Sequence, residues 1–228
     1  MRLFQNNKKI LAFIIIFIFL STISNKFISN KKNFFTIENI NIYGVNSYIK
    51  KDLHSDIFYL KGKNFFLINK NKIKDILNQK PYVKEFIINK VYPSTLDIKL
   101  KTTKIIAKQF KNNRYYLVGE NGKLINYDIF EKRDNLPNLF GNTNEKKVIS
   151  LNRILKQSKV SVFQFTDIYY FESGRWDLKT NNENIIKLPF NNPNEALDIA
   201  LKIIDQKNYK KKIIDLRVAN QVIISNGS

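Results

Sequence analysis

No cysteine occurs among the 228 residues, which hold one histidine, one methionine, one tryptophan, five prolines and seven glycines. Without cysteine there is no disulfide framework, no thiolate zinc site and no cysteine nucleophile. The low proline and glycine counts, with 43% hydrophobic residues, exclude the composition of a disordered chain and leave enough apolar side chain for one or two cores. The spacing of metal ligands is missing too, with no His-Glu-x-x-His and no Asp-rich calcium loop. No Walker loop and no Gly-x-Gly-x-x-Gly occur. A Ser-His-Asp arrangement would have to use His54, which helical periodicity places on a polar shoulder. No catalytic, metal or cofactor-binding residue is assigned, and neither a cofactor nor a small-molecule substrate is expected.

Acidic charge is the other shortage. Asp and Glu total 19 against 39 Lys and Arg, a net charge of +20. Such an excess supplies the sequence-independent part of binding to nucleic acid or an anionic membrane. Yet there are 33 Lys, 31 Asn and 34 Ile but only 6 Arg, a joint excess that an A/T-rich coding sequence produces without any binding purpose. Arginine, the residue that forks phosphates and base edges, is the scarce cation. The charge is also spread along the chain: six positive and no negative side chains in residues 1–32, thirteen against six in 33–104, and twenty against thirteen in 105–228. A solvated surface accounts for this better than a nucleic-acid site.

The strongest positive feature is near the amino terminus. No charged residue lies between Lys9 and Lys26, and Ile10 to Leu20 is unbroken apolar sequence. As a helix, 10–28 would span about 28 Å, close to the roughly 30 Å hydrocarbon core, if Lys26 snorkels outward. Residues 10–24 would reach only about 22 Å, which also suits the apolar part of a cleaved signal peptide. No Ala-x-Ala site follows, Thr22-Ile23-Ser24 being the best substitute, so an uncleaved signal anchor over 10–28 is expected. Arg2, Lys8 and Lys9 on one side nearly balance Lys26, Lys31 and Lys32 on the other. The short tail 1–9 and the long following body favour an inside amino terminus and a translocated body. A linker, 29–35, then leads to two soluble units.

Residues 36–104 read as strand, helix, helix, strand, strand. Ile40 and Ile42 alternate with Asn39 and Asn41, and Asn46-Ser47 caps a helix with Ile49, Leu53, Ile57 and Leu60 on one face. A shorter helix near 70–79 turns Ile73, Ile76 and Leu77 inward. Residues 83–92 form a strand, Pro93-Ser94 turns the chain, and Leu96, Ile98 and Leu100 alternate with charged residues. From 105 the pattern changes to short strands. Gly119-Glu120-Asn121-Gly122 is a hairpin signal rather than a nucleic-acid-clamping Gly-x-x-Gly loop, since it carries an acid and joins strands. Residues 136–141 read as a turn-rich link, 151–158 as a short helix, and 162–171, 175–180 and 185–188 as strands. Pro193 opens a helix with Leu197, Ala200, Leu201 and Ile204 on one face. A strand at 213–218 is continued or paired by 222–224. Trp176, Leu178, Ile214, Leu216 and Val218 are expected on one core face, with Arg175 and Asp177 opposite. A terminal strand leaves a free edge able to accept a partner's strand.

The order of motifs over nearly the whole chain resembles the bacterial cell-division family FtsQ/DivIB. The pieces are Pro81-Tyr82-Val83, Val91-Tyr92-Pro93-Ser94-Thr95-Leu96, Tyr116-Leu117-Val118-Gly119, Leu136-Pro137-Asn138-Leu139-Phe140-Gly141, Lys187-Leu188-Pro189, Ile214-Asp215-Leu216-Arg217 and Arg175-Trp176-Asp177-Leu178. The last is most similar to FtsQ of alphaproteobacteria. The pattern departs from the family at 103–106 and 181–184. The resemblance implies an α+β protein: a transmembrane helix, a POTRA domain over 36–104, and a mostly antiparallel β domain with helices over 105–228. It implies a single-pass inner-membrane protein with its bulk in the periplasm, a non-catalytic divisome scaffold at the septum that binds FtsB and FtsL. Carried over, the partner-binding residues are Arg175, Arg217, Val218, Asn220, Gln221, Val222, Ile223 and Ile224. A POTRA-bearing transport or assembly factor is the alternative, and a basic nucleic-acid-binding protein a remoter one.

Overall fold

The computed structural model describes residues 10–21, 35–130 and 135–227. Residues 10–21 form a helix, α1. No helix among the described residues is long and apolar enough to cross a membrane. The expected tail 1–9 and residues 22–28 of the expected anchor lie outside the described residues.

The first sheet has the expected order of elements: β1 (Asn39–Tyr43), α2 (Ser47–Ile57), α3 (Lys70–Gln79), β2 (Val83–Val91) and β3 (Thr95–Thr102). β3 is central, parallel to β1 and antiparallel to β2, so that Ile98 faces Ile42 on one side and Ile88 on the other. α2 begins where it should because the Asn46 side chain accepts the Ile49 N–H at 2.9 Å. Its apolar stripe, Ile49, Leu53 and Ile57, meets Ile73 and Leu77 of α3 over Leu96, Ile98 and Leu100 of β3, all buried.

The second sheet has nine strands. In chain order they are β4 (Ile105–Lys111), β5 (Arg114–Gly119), β6 (Leu124–Asn126), β7 (Asn138–Phe140), β8 (Phe165–Tyr170), β9 (Trp176–Thr180), β10 (Ile185–Lys187), β11 (Lys212–Asp215) and β12 (Ile223–Asn226). Their order in space is β12-β11-β10-β9-β8-β7-β4-β5-β6. The β4–β7, β7–β8 and β10–β11 joins are parallel and the rest antiparallel. Two of these parallel joins are made by helices, α4 (Glu145–Gln157) between β7 and β8 and α5 (Pro193–Lys207) between β10 and β11. Both helices cover one face, where Leu151, Leu155, Leu197 and Ala200 pack on Ile168, Trp176, Leu178, Ile186 and Ile214. The turn-rich reading of 136–141 is corrected: Asn138–Phe140 is a strand in the interior of the sheet.

The two sheets share a core. Ile105, Leu117, Ile125 and Leu136 of the second join the apolar cluster built on α2, α3 and β3. Polar bridges close the same seam at the Gly119–Gly122 hairpin turn, which joins β5 to β6 as expected. Glu120 is 8% exposed and takes Lys84 of β2 at 2.6 Å and Lys156 of α4 at 2.9 Å. Asn121 donates to the Pro81 carbonyl at 3.0 Å. Gly122 has φ +81°, and a Cβ there would lie 2.5 Å from the Glu145 backbone, so the hairpin abuts the start of α4.

Candidate functional site

β12 ends the nine-stranded sheet. It pairs antiparallel with β11, and among the described residues no strand pairs with its other flank. The Gly227 N–H donates to the Lys211 carbonyl at 2.7 Å. Because hydrogen-bonded and non-bonded pairs alternate along an antiparallel ladder, Ser225 and Ile223 turn their backbone groups toward β11. Ile224 and Asn226 therefore direct their N–H and C=O outward, to the open flank. An incoming strand would meet these four groups.

Side chains beside the edge are aliphatic and wet. Val218 is 47% exposed, Val222 40%, Ile223 49% and Ile224 40%. Between the β11–β12 connection and the amino-terminal turn of α5 lies a groove of about 620 Å³, into which Phe190, Ile199 and Leu216 also open. Phe190 and Ile199 belong to this surface although the sequence reading passed over them; Phe190, directly after Pro189 and outside any periodic segment, was the available signal.

On the sheet face away from the helices, the register sets one row across the strands: Phe140, Tyr169, Asp177, Lys187, Asp215 and Ile223. The rings of Phe140 and Tyr169 stack at 4.9 Å. Next to them Asp177 is nearly enclosed, and burial pushes its carboxyl above the ordinary carboxylate range, while Lys187, Arg175 and Arg217 draw it back. Its Oδ1 has no hydrogen-bond partner. Lys187, from the intervening β10, stands between Asp177 and Asp215, so the charges of β9 and β11 are not direct neighbours.

The expected site residues fall in three places. Arg175 immediately precedes β9, with its guanidinium 5.3 Å from the Phe171 ring centre and a buried Nε that lacks a partner. The expected strand 213–218 stops at Asp215, because Arg217 folds back onto its own neighbour: Nε donates to both oxygens of Asp215 at 2.8 and 2.9 Å, and Nη2 adds a third contact. That fork holds the Asp215 carboxyl below its ordinary range. Arg217, Val218, Asn220 and Gln221 thus form the connection rather than the edge. Asn220 is left-handed at φ 60°, and the Gln221 N–H closes the turn onto the Val218 carbonyl at 3.2 Å. Val218, expected in the core, points to water, whereas Leu216 is buried. Val222, Ile223 and Ile224 lie at the edge, with Val222 just before the strand.

Among the described residues no group of His, Asp or Glu is arranged to hold a metal ion. His54 is exposed on α2, its ring 5.2 Å from that of Phe58.

Residues 108–217 match the family model described as cell division protein FtsQ/DivIB, C-terminal, and residues 35–101 match that of the POTRA domain, FtsQ-type. A cell division protein FtsQ from Rickettsia bellii is 28% identical over 199 residues, covering 83% of this chain and 72% of that protein. A cell division protein DivIB from Clostridium acetobutylicum is 29% identical over 201 residues, covering 78% and 80%. The solved major extracytoplasmic domain of DivIB from Geobacillus stearothermophilus aligns with 48% of this chain and 99% of its own, at 14% identity and a TM-score of 0.34.

Proposed function

We propose that this chain, which belongs to the FtsQ/DivIB family of bacterial cell division proteins, is a membrane-tethered, non-catalytic scaffold of the divisome that accepts a strand of FtsB, together with FtsL, on β12. The observation that carries this reading is the open flank of β12, with the backbone groups of Ile224 and Asn226 turned outward beside an exposed aliphatic shoulder. Main-chain bonds give such an edge its grip, and the shoulder selects the visitor's side chains. β2 is a longer open edge, but it carries Lys84, Glu85 and Lys90, the charges by which natural sheets discourage pairing. Arg217, in the connection that leads into β12, favours an acidic residue on the incoming chain, whereas Arg175 precedes β9, with β10 and β11 between it and the edge. The apolar run from Ile10 to Leu20 belongs to a single-pass inner-membrane anchor, with a cytoplasmic amino terminus and the body in the periplasm at the septum. There the chain links early to late division proteins.

The ladder parity selects the test. Proline at Ile224 removes an outward donor and leaves the β11–β12 bonds in place, whereas proline at Ile223 removes a bond that the sheet itself uses. Capture of FtsB from solubilised membranes by the full chain is expected to fall at least about tenfold for Ile224→Pro, a loss of roughly 1.4 kcal/mol or more, with its melting temperature close to the parent's. Undiminished capture by folded Ile224→Pro would overturn the reading.

A further inference from the structure

A second exposed apolar surface lies at the opposite end of the fold, where the chain enters the first sheet. Residues 35–37 are stitched to the loop between α2 and α3: the Ile37 N–H donates to the Lys63 carbonyl at 3.0 Å, the Gly62 N–H to the Ile37 carbonyl at 2.9 Å, and the Phe65 N–H to the Phe35 carbonyl at 2.6 Å. Around this seam the rings of Phe35 and Phe66 meet at 4.9 Å and those of Phe66 and Tyr92 at 5.9 Å. All three are about half exposed, and neighbouring Leu67 is 82% exposed. Water solvates these side chains poorly, yet the loop is held firmly: the Lys90 ammonium donates to the Phe65 carbonyl at 2.6 Å and sits 5.4 Å from that ring's centre. Residues 58–74 contain five lysines and no acid. Six residues, 29–34, lie between the end of the expected anchor at 28 and Phe35, and the seven steps reach at most about 25 Å.

We infer that this end of the molecule rests on an anionic lipid surface, with Phe35, Phe66, Leu67 and Tyr92 in the headgroup layer and Lys63 and Lys72 over acidic headgroups. The inference rests on the tether reading above. Three features select lipid as the occupant: the short distance to the anchor, the pairing of rings with cations that marks interfacial segments, and the five lysines of residues 58–74, which outnumber the acids beside them, Glu38 at the seam and Asp75 just after the run. Docking would fix the body's tilt and hence the height of β12 above the bilayer.

The lack of native cysteine permits a single label. Leu67→Cys carrying an environment-sensitive fluorophore, in the full chain reconstituted into phosphatidylcholine vesicles with about one-third phosphatidylglycerol, is expected to emit at shorter wavelength than in pure phosphatidylcholine. A label at Lys202→Cys on α5 should not respond. Lys63→Glu with Lys72→Glu, both exposed positions that spare the core, should lower the docked-to-undocked ratio about tenfold or more, as should high salt. A chain that survives carbonate washing but keeps an aqueous emission at position 67 would overturn this inference alone. One that washes off would overturn the tether reading and this inference with it. Shielding of position 67 that needs another membrane protein rather than acidic lipid would assign the patch to a protein partner and overturn it equally.

Discussion

Two carboxylates equally withdrawn from water show how partners, not burial, set the consequence of a charge. Glu120 is 8% exposed and Asp177 7%. Hydrogen bonds from Lys84 and then Lys156 hold Glu120 at about 2, against an ordinary 4.5, whereas Asp177 has an unbonded oxygen and a raised value. A depressed folded-state value contributes stability at all pH above the ordinary one, and that contribution drains away as pH falls from about 4.5 toward 2. Glu120→Gln should therefore cost about 1–2 kcal/mol at pH 7, less than a fully buried pair because both lysines regain water, and should flatten the acid limb of stability over that interval. Asp177 works in the opposite sense: its protonation favours the fold, so ionisation costs stability as pH rises through its raised value. Asp177→Asn is expected to be neutral or stabilising by up to about 1 kcal/mol at pH 7. Denaturant melts of the two variants across pH 2–7 check both signs; destabilisation by both would mean that Asp177 has a partner after all.

Elements were legible from sequence where their period was long enough to be counted. The α2 stripe and the alternation of Leu96, Ile98 and Leu100 bury the residues that the pattern named. β7 was not legible, since three residues between Pro137 and Gly141 contain barely one period, and its strand character comes from β4 and β8 on either side. α4 starts six residues before its expected beginning; the Asn144 side chain accepts the Lys147 N–H at 3.0 Å, a cap hidden by the charged first turn. Near the candidate edge, alternation over 213–218 was real in composition, but the Arg217–Asp215 fork ends the strand, a long-side-chain event that periodicity does not encode. The Gly119–Gly122 hairpin was read correctly, and its glycine at 122 is required twice over, by φ and by the Glu145 backbone. Gly122→Ala should lower stability by about 1–3 kcal/mol, measured by denaturant unfolding. A neutral result would show that the seam between hairpin and α4 yields easily.

At the scale of the molecule, the shared core and the Glu120 bridges make the two sheets one thermodynamic object. The full chain should show one transition for both sheets, coincident by calorimetry and by the near-ultraviolet signal of Trp176; two separated transitions would refute this coupling. The net charge of +20 sets a further expectation at this scale. With its cations dispersed, the protein should bind duplex DNA only weakly at physiological salt, and tight, steeply salt-dependent binding in a filter assay would restore the nucleic-acid alternative. The chain is a cell-division protein by family, and its open flank has a bearing on how such an assembly forms. β12 offers an arriving strand only the amides and carbonyls of Ile224 and Asn226. At about 1 kcal/mol for each bond made, that ladder alone is worth about 4 kcal/mol, or millimolar binding. Proteins that drift freely in three dimensions would rarely stay joined through so brief a seam. On the tether proposed above, confinement to a common two-dimensional sheet would raise their local concentration into that range, and whether the complex forms would become a matter of shared address more than of intrinsic stickiness.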